Sequence, residues 1–159
     1  MTKKVPMTVE GAKRLKAELH RLKTVDRPLV IGAIAEARSH GDLSENADYD
    51  AAKERQGFIE GRIAEVERRL AHAQVINPAE IDADGRVVFG ATVELTDAAS
   101  GAPVTYQIVG DDEADLKHGK ISVSSPIARA LIGKVEGDTV EVHAPGGVRE
   151  YEILAVRYG

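Results

Sequence analysis

The sequence predicts an α+β protein in two parts: an N-terminal antiparallel α-helical coiled-coil hairpin over residues 1–77 and a small, β-rich C-terminal domain over residues 78–159. Three observations carry that expectation. Apolar residues recur at alternating spacings of three and four through the first half, which is the seam of a coiled coil. After Asp84-Gly85 the period drops to two, in short runs separated by glycine-bearing turns. Charge divides in the same region: residues 1–77 carry 14 Lys+Arg against 12 Asp+Glu (+2), and residues 78–159 carry 7 against 14 (−7), within a net charge of −5.

The first helix is expected from Thr8 to His40. Thr8 is a partial capping signal, because the third position after it is Gly11 rather than Glu or Gln. Ala12, Leu15, Leu19 and Leu22 form the seam, which continues through Leu29 or Val30, Ala33 or Ile34, and Ala37. Pro28 lacks the amide hydrogen and crowds the preceding turn, so a bend is expected near Asp26 to Pro28, with the helix resuming beyond it. Such a helix would extend ~50 Å at ~1.5 Å per residue. Gly41 suits the left-handed position that ends it. A second helix follows within a few residues and runs to about Ala73, with Ala52, Ile59, Ile63, Val66, Leu70 and Ala73 as its seam. Two helices joined by so short a loop pack antiparallel. Glu60, Arg62, Glu65, Glu67, Arg68 and Arg69 belong on its outer, solvated faces.

Asn77-Pro78 closes the hairpin. Val87 to Phe89 with Ala91 to Leu95 reads as a strand, Ala99-Ser100-Gly101 as a turn, and Val104 to Val109 as the returning strand. Asp111 to Asp115 is an acidic loop, and Ile121 to Ser124 a short strand. Ser125-Pro126 opens a short helix, with serine at the cap and proline at its first position, and Gly133 stops it. Thr139 to His143 and Glu150 to Val156 flank Pro145-Gly146-Gly147 as a hairpin.

Composition narrows the function. There is no cysteine, which removes disulfides and thiolate metal sites and fits a reducing cytoplasm. No run approaches the ~20 apolar residues of a membrane span, and residues 1–6 do not begin an apolar leader, so a soluble cytoplasmic protein with no membrane partner is expected. Overall acidity argues against a broad nucleic-acid-binding face. Lys13, Arg14, Lys16, Arg21, Lys23, Arg27 and Arg38 could still line a local basic stripe facing RNA phosphates, or they are simply a solvated face. The five histidines show no i, i+4 metal pair, although His40 lies close to the hairpin tip. No glycine-rich phosphate loop or nucleophile elbow occurs, and no small-molecule substrate is expected.

The tip, Gly41-Asp42-Leu43-Ser44-Glu45-Asn46-Ala47-Asp48-Tyr49, concentrates acids: with Asp50 it holds four carboxylates and no Lys or Arg between Arg38 and Lys53. Two readings fit Asp42 and Glu45. As Asp-x-x-Glu at a helix start they form a capping box, favoured by the helix dipole. As two carboxylates on an exposed tip they are hard oxygen ligands for Mg²⁺, which is usually held by one or two carboxylates with water and phosphate oxygens completing its shell. Capping leaves Asp48 and Asp50 without a role.

The tip, followed by Ala52-Lys53-Glu54-Arg55-Gln56, resembles that of the bacterial GreA/GreB family of transcript-cleavage factors. Ser124-Ser125-Pro126-Ile127-Ala128-Arg129-Ala130-Leu131-Ile132-Gly133-Lys134 with Gly137-Asp138 resembles the family's second signature. The scattered basic residues of the first helix place the chain nearer the branch lacking a larger basic patch. The resemblance implies a coiled coil that reaches through the secondary channel of RNA polymerase and an FKBP-like second domain that docks on the channel rim. It further implies that Asp42 and Glu45 are metal-coordinating acids for a Mg²⁺ shared with the polymerase, and that Ser44, Asn46 and Tyr49 support them or face the backtracked RNA 3′ end. Ser124, Ser125 and Pro126 fall where the family contacts the polymerase. The chain would then be no enzyme alone but would stimulate hydrolysis by the polymerase. Two other functions share parts of this pattern: an inhibitor that fills the channel without cleavage, and a folding helper built on the FKBP-like half. Family members that block the channel generally alter the tip, and a prolyl isomerase needs an aromatic-lined concavity in a chain whose aromatic content is 4%.

Overall fold

A computed structural model describes residues 4–39 and 46–159, with the Asn46 side chain excepted. It divides into two compact units. Of the described residues, one unit takes 12–39 and 46–73 and carries the helices, and the other takes 4–11 and 74–159 and holds the sheets. This division differs from one at residue 77, because strands at both ends of the helical segment belong with the sheets.

In the helical unit, α1 (Val9–Arg21) runs into a π-helical turn (Leu22–Asp26) and then α2 (Arg27–Ser39), while α3 (Asn46–His72) returns beside them. Ala12, Leu15, Leu22 and Val30 are buried on the outgoing arm, and Ala52, Ile63 and Val66 on the returning one. The π turn explains the seam's phase. From Leu22 an uninterrupted three–four repeat reaches Leu29, yet Leu29 is 64% exposed and Val30 fully buried. One residue has been absorbed into the wide turn, where the amide of Arg27 reaches back five residues to the carbonyl of Leu22. Pro28 supplies the cause: its ring clashes with the carbonyl four residues back in a regular α-helix, and a wider turn relieves that clash. Where a bend is expected, the helix runs on continuously and shifts its phase by one residue.

Ion pairs flank the seam. Arg27 binds Glu60 through two nitrogens at 2.7 and 2.6 Å. Arg62 does the same to Glu18 at 2.5 and 2.7 Å, and Lys23 Nζ meets Glu67 at 2.9 Å. Of the acids expected on the outer face, Glu60 and Glu67 are therefore partners across the hairpin, while Glu65 pairs along its own helix with Arg69 at 2.6 Å; the cross-hairpin pairs specify register more than they stabilise. The Arg62 hydrogen bond holds the Glu18 carboxyl below its ordinary range, and the Arg27 hydrogen bond does the same for Glu60. Carboxyls depressed on folding contribute stability above the ordinary glutamate value of 4.5 and lose it as pH falls through their folded values. Thermal melts followed by circular dichroism should show an unchanged helical transition from pH 7 to 5.5 and a falling one below pH 4.5. Replacing Glu18 by Gln should cost only roughly 0.5 kcal/mol, since the pair is only partly buried and water still screens it.

The sheet unit starts with β1 (Val5–Thr8), which pairs with β2 (Ala73–Ile76) in a two-stranded ribbon. Neither strand is foreseen by the sequence pattern; Ala73 was expected to close the helical seam. The main sheet contains β3 (Ala91–Asp97), β4 (Pro103–Val109), β5 (Lys120–Ser122), β6 (Thr139–Ala144) and β7 (Gly147–Tyr158), in the order β5-β4-β3-β7-β6. β4 and β5 are parallel and the other neighbours antiparallel. Val87 to Phe89 lie outside the strands, and Val87 is buried with its amide bonded to the Lys134 carbonyl at 2.8 Å. α4 (Pro126–Leu131) packs Ala128 and Leu131 into a core with Val93, Leu95, Ile108, Ile121, Val140, Val142, Tyr151 and Ile153. Ser125 caps α4 by accepting the Ala128 amide at 3.3 Å, and Gly133 stops it at φ 90°, a conformation costly for any side chain.

The acidic loop contains a second cap. Thr8 accepts the Gly11 amide at 3.1 Å, the first half of a capping box. Its missing carboxylate comes from Glu113, which accepts from the Thr8 amide at 3.1 Å, the Thr8 hydroxyl, and the Gly110 amide at 2.9 Å. A Cβ on residue 11 would sit inside this carboxylate, so the glycine that weakens the local signal is what admits the distant one.

Candidate functional site

Two regions hold the residues singled out by sequence. The first is the free end of the hairpin. His40, Gly41, Asp42, Ser44 and Glu45 lie outside the described residues, as does the Asn46 side chain, although Asn46 begins α3. The stop role of Gly41 and both readings of Asp42 and Glu45 fall there too. What is described is the support. Arg38, in the last turn of α2, places its guanidinium 5.6 Å from the centre of the Tyr49 ring, and one of its nitrogens lies 3.5 Å from the Tyr49 hydroxyl. That contact ties the end of one arm to the start of the other. Asp48 lies in the first turn of α3, where the helix dipole favours a carboxylate, and both it and Asp50 are exposed. Among the described residues no group of three or more His, Asp or Glu could hold a metal. The donor chemistry of Asp42 and Glu45, hard carboxylate oxygens, fits Mg²⁺.

The basic stripe is partly spent. Lys23 and Arg27 are ion-paired across the hairpin, and Arg21 lies 3.9 Å from Asp26. Sequence order could not show this, because the partners lie up to 44 residues away.

The second region is the turn leading into α4, where Ser124 and Pro126 are exposed and Ser125 half-buried. Asp111 organises it. Its Oδ1 accepts from the hydroxyls of Ser122 and, at 2.8 Å, Ser124. The amide of Ser124 donates to Ser122 Oγ at 3.1 Å, and the hydroxyl of Ser125 to the Ser122 carbonyl at 2.7 Å. Hydrogen bonds from Ser122 first, then Ser124, hold the Asp111 carboxyl below its ordinary range. Asp111 and Ser122 were not singled out by sequence. The only signal was the acidic run from Asp111 to Asp115, which reads equally as a solvated loop.

The helical hairpin and the β-rich unit together define a class of two-part α+β factor, and the comparisons specify which. Residues 5–75 match the family model "Transcription elongation factor, N-terminal", and residues 82–158 match "Transcription elongation factor, GreA/GreB, C-term". The chain belongs to the GreA/GreB family of transcription elongation factors. It is 73% identical over 154 residues to the transcription elongation factor GreA of Ralstonia nicotianae, covering 97% of this chain and 98% of the relative. To the GreA of Neisseria meningitidis serogroup A it is 70% identical over 155 residues, covering 98% of each. Among solved structures it is similar to GreA factor homolog 1 (Gfh1) of Thermus thermophilus at 29% identity, covering 98% of this chain and 99% of that one with a TM-score of 0.46. No helix among the described residues is long and apolar enough to cross a membrane.

Proposed function

We propose that this elongation factor binds RNA polymerase, passes its coiled coil through the secondary channel and stimulates the polymerase's own endonucleolytic cleavage of backtracked nascent RNA. The observation that carries the reading is the pair Asp42 and Glu45, intact at the end of a helical hairpin in a chain that matches its family through both halves. The chain's contribution to that chemistry would be ligands and orientation, with the catalytic centre belonging to the polymerase. Asp42 and Glu45 would hold a Mg²⁺ completed by the polymerase and the RNA. When bound, that ion lowers the charge on the scissile phosphate and makes its water a stronger nucleophile. The two acids would also orient the attacking water, and Ser44 and Asn46 would support them. Tyr49, braced by Arg38, would support them from the first turn of α3. Ser124, Ser125 and Pro126 would contact the polymerase from the second unit.

Purified polymerase stalled in a backtracked complex tests this directly. The native chain should release short 3′ fragments at a rate at least about tenfold above the polymerase alone, since one added charge-stabilising group is worth that much or more. Tight binding with intact RNA would instead identify a channel-filling inhibitor.

A further inference from the structure

We infer that the turn at Ser124-Ser125-Pro126 recognises a basic, hydrogen-bond-donating segment of the polymerase, and that Asp111 is the positioning residue that makes it an acceptor-only surface. This rests on the reading above that the turn docks on polymerase, and it adds the chemistry of the partner.

The hydrogens of the turn can be followed one by one. Ser124 has two: its amide goes to Ser122 Oγ at 3.1 Å, and its hydroxyl has Asp111 Oδ1 at 2.8 Å and Ser122 Oγ at 2.9 Å as acceptors, so that hydrogen stays within the Asp111–Ser122–Ser124 cluster on either choice. Ser125 also has two, and both go to the Ser122 carbonyl, from the amide at 3.0 Å and from the hydroxyl at 2.7 Å. Pro126 has none. A serine hydroxyl carries a single hydrogen and two lone pairs, so Ser124, exposed and with its hydrogen committed, offers an incoming group only lone pairs. The Ser122 hydroxyl is held in the same way, between Asp111 Oδ1 and Ser124 Oγ, and its hydrogen likewise stays inside the cluster. Beside these oxygens stands the exposed Asp111 carboxylate, kept ionised by the same hydrogen bonds. Residues 78–159 as a whole carry 7 Lys+Arg against 14 Asp+Glu. An acidic or acceptor-rich segment would meet lone pairs with lone pairs, whereas an arginine or lysine finds acceptors and charge together.

The test is direct binding of labelled full-length factor to purified RNA polymerase over a range of salt, with cleavage followed separately. Asp111→Asn is expected to weaken binding about tenfold at low salt, to flatten the salt dependence, and to leave the cleavage rate at saturating factor unchanged. A merely structural role would not move the salt slope. Ser124→Ala removes the exposed acceptor while leaving Asp111 ionised, and should weaken binding about threefold; it decides the matter if Asp111→Asn melts below the assay temperature. Glu152→Gln, the same change of charge on β7, should bind within twofold of native. If both Asp111→Asn and Ser124→Ala bind as native does, the inference is overturned while polymerase binding stands. If the native chain does not bind polymerase at all, the docking reading falls and this one with it.

Discussion

Asp42→Asn and Glu45→Gln should each reduce RNA cleavage in backtracked complexes by more than about a hundredfold while leaving polymerase binding intact. These substitutions separate the two roles the tip acids can play. Asparagine caps a helix about as well as aspartate, and glutamine closes a capping box as glutamate does, so neither change should cost more than about 0.5 kcal/mol of stability if capping is the whole role. A metal site responds differently, because a neutral amide oxygen is a far poorer ligand for a hard divalent cation than a carboxylate. Loss of one charge-stabilising group in an active site typically costs about 10²–10³ in rate. Cleavage at the native rate by either variant, in a protein that binds normally, would exclude Asp42 or Glu45 as a metal ligand. The alanine variants should behave the same way in cleavage, with an added loss of about 1 kcal/mol in hairpin stability.

The largest effect on stability should come from Glu113→Ala. Its carboxylate satisfies the amides of Thr8 and Gly110 and the hydroxyl of Thr8, and Thr8 is buried. Removing it leaves these donors facing protein rather than water, at about 1–3 kcal/mol for each one stranded; partial access of water to residue 113 brings the expected total to about 2–4 kcal/mol. Glu113→Gln should recover part of this, because an amide oxygen can still accept. Urea unfolding followed by fluorescence of the tyrosines gives the measurement. A loss below about 0.5 kcal/mol would reduce the carboxylate to a surface group. Gly11→Ala is the complementary change: alanine favours a helix by up to about 1 kcal/mol over glycine, yet here it should destabilise, because its methyl displaces the Glu113 carboxylate.

Much of this was legible in the sequence for a physical reason. Helical seams, strand alternation, the Ser125-Pro126 start and the Gly133 stop are interactions between residues a few positions apart, and the pattern shows both partners at once. The π turn was half legible. Pro28 announced an interruption, but only the burial of Val30 in place of Leu29 shows that the helix absorbed it as a change of phase. β1 and β2 were missed because four-residue strands carry too little pattern, and each exists by virtue of the other.

By itself the sequence determined the fold class, the hairpin, the elements of the sheet, the acids at the tip and the family that two separated motifs point to. The tertiary structure alone decided which charges are spent and which carboxylates organise the backbone. Arg62 meets Glu18 across 44 residues, and Thr8 meets Glu113 across 105. An acidic run reads as a solvated loop until the fold brings the Thr8 amide and the Ser122 and Ser124 hydroxyls against it. Whether a carboxylate is solvated or holds a turn depends on the donors within about 3 Å of it, and those come from wherever the chain passes in space.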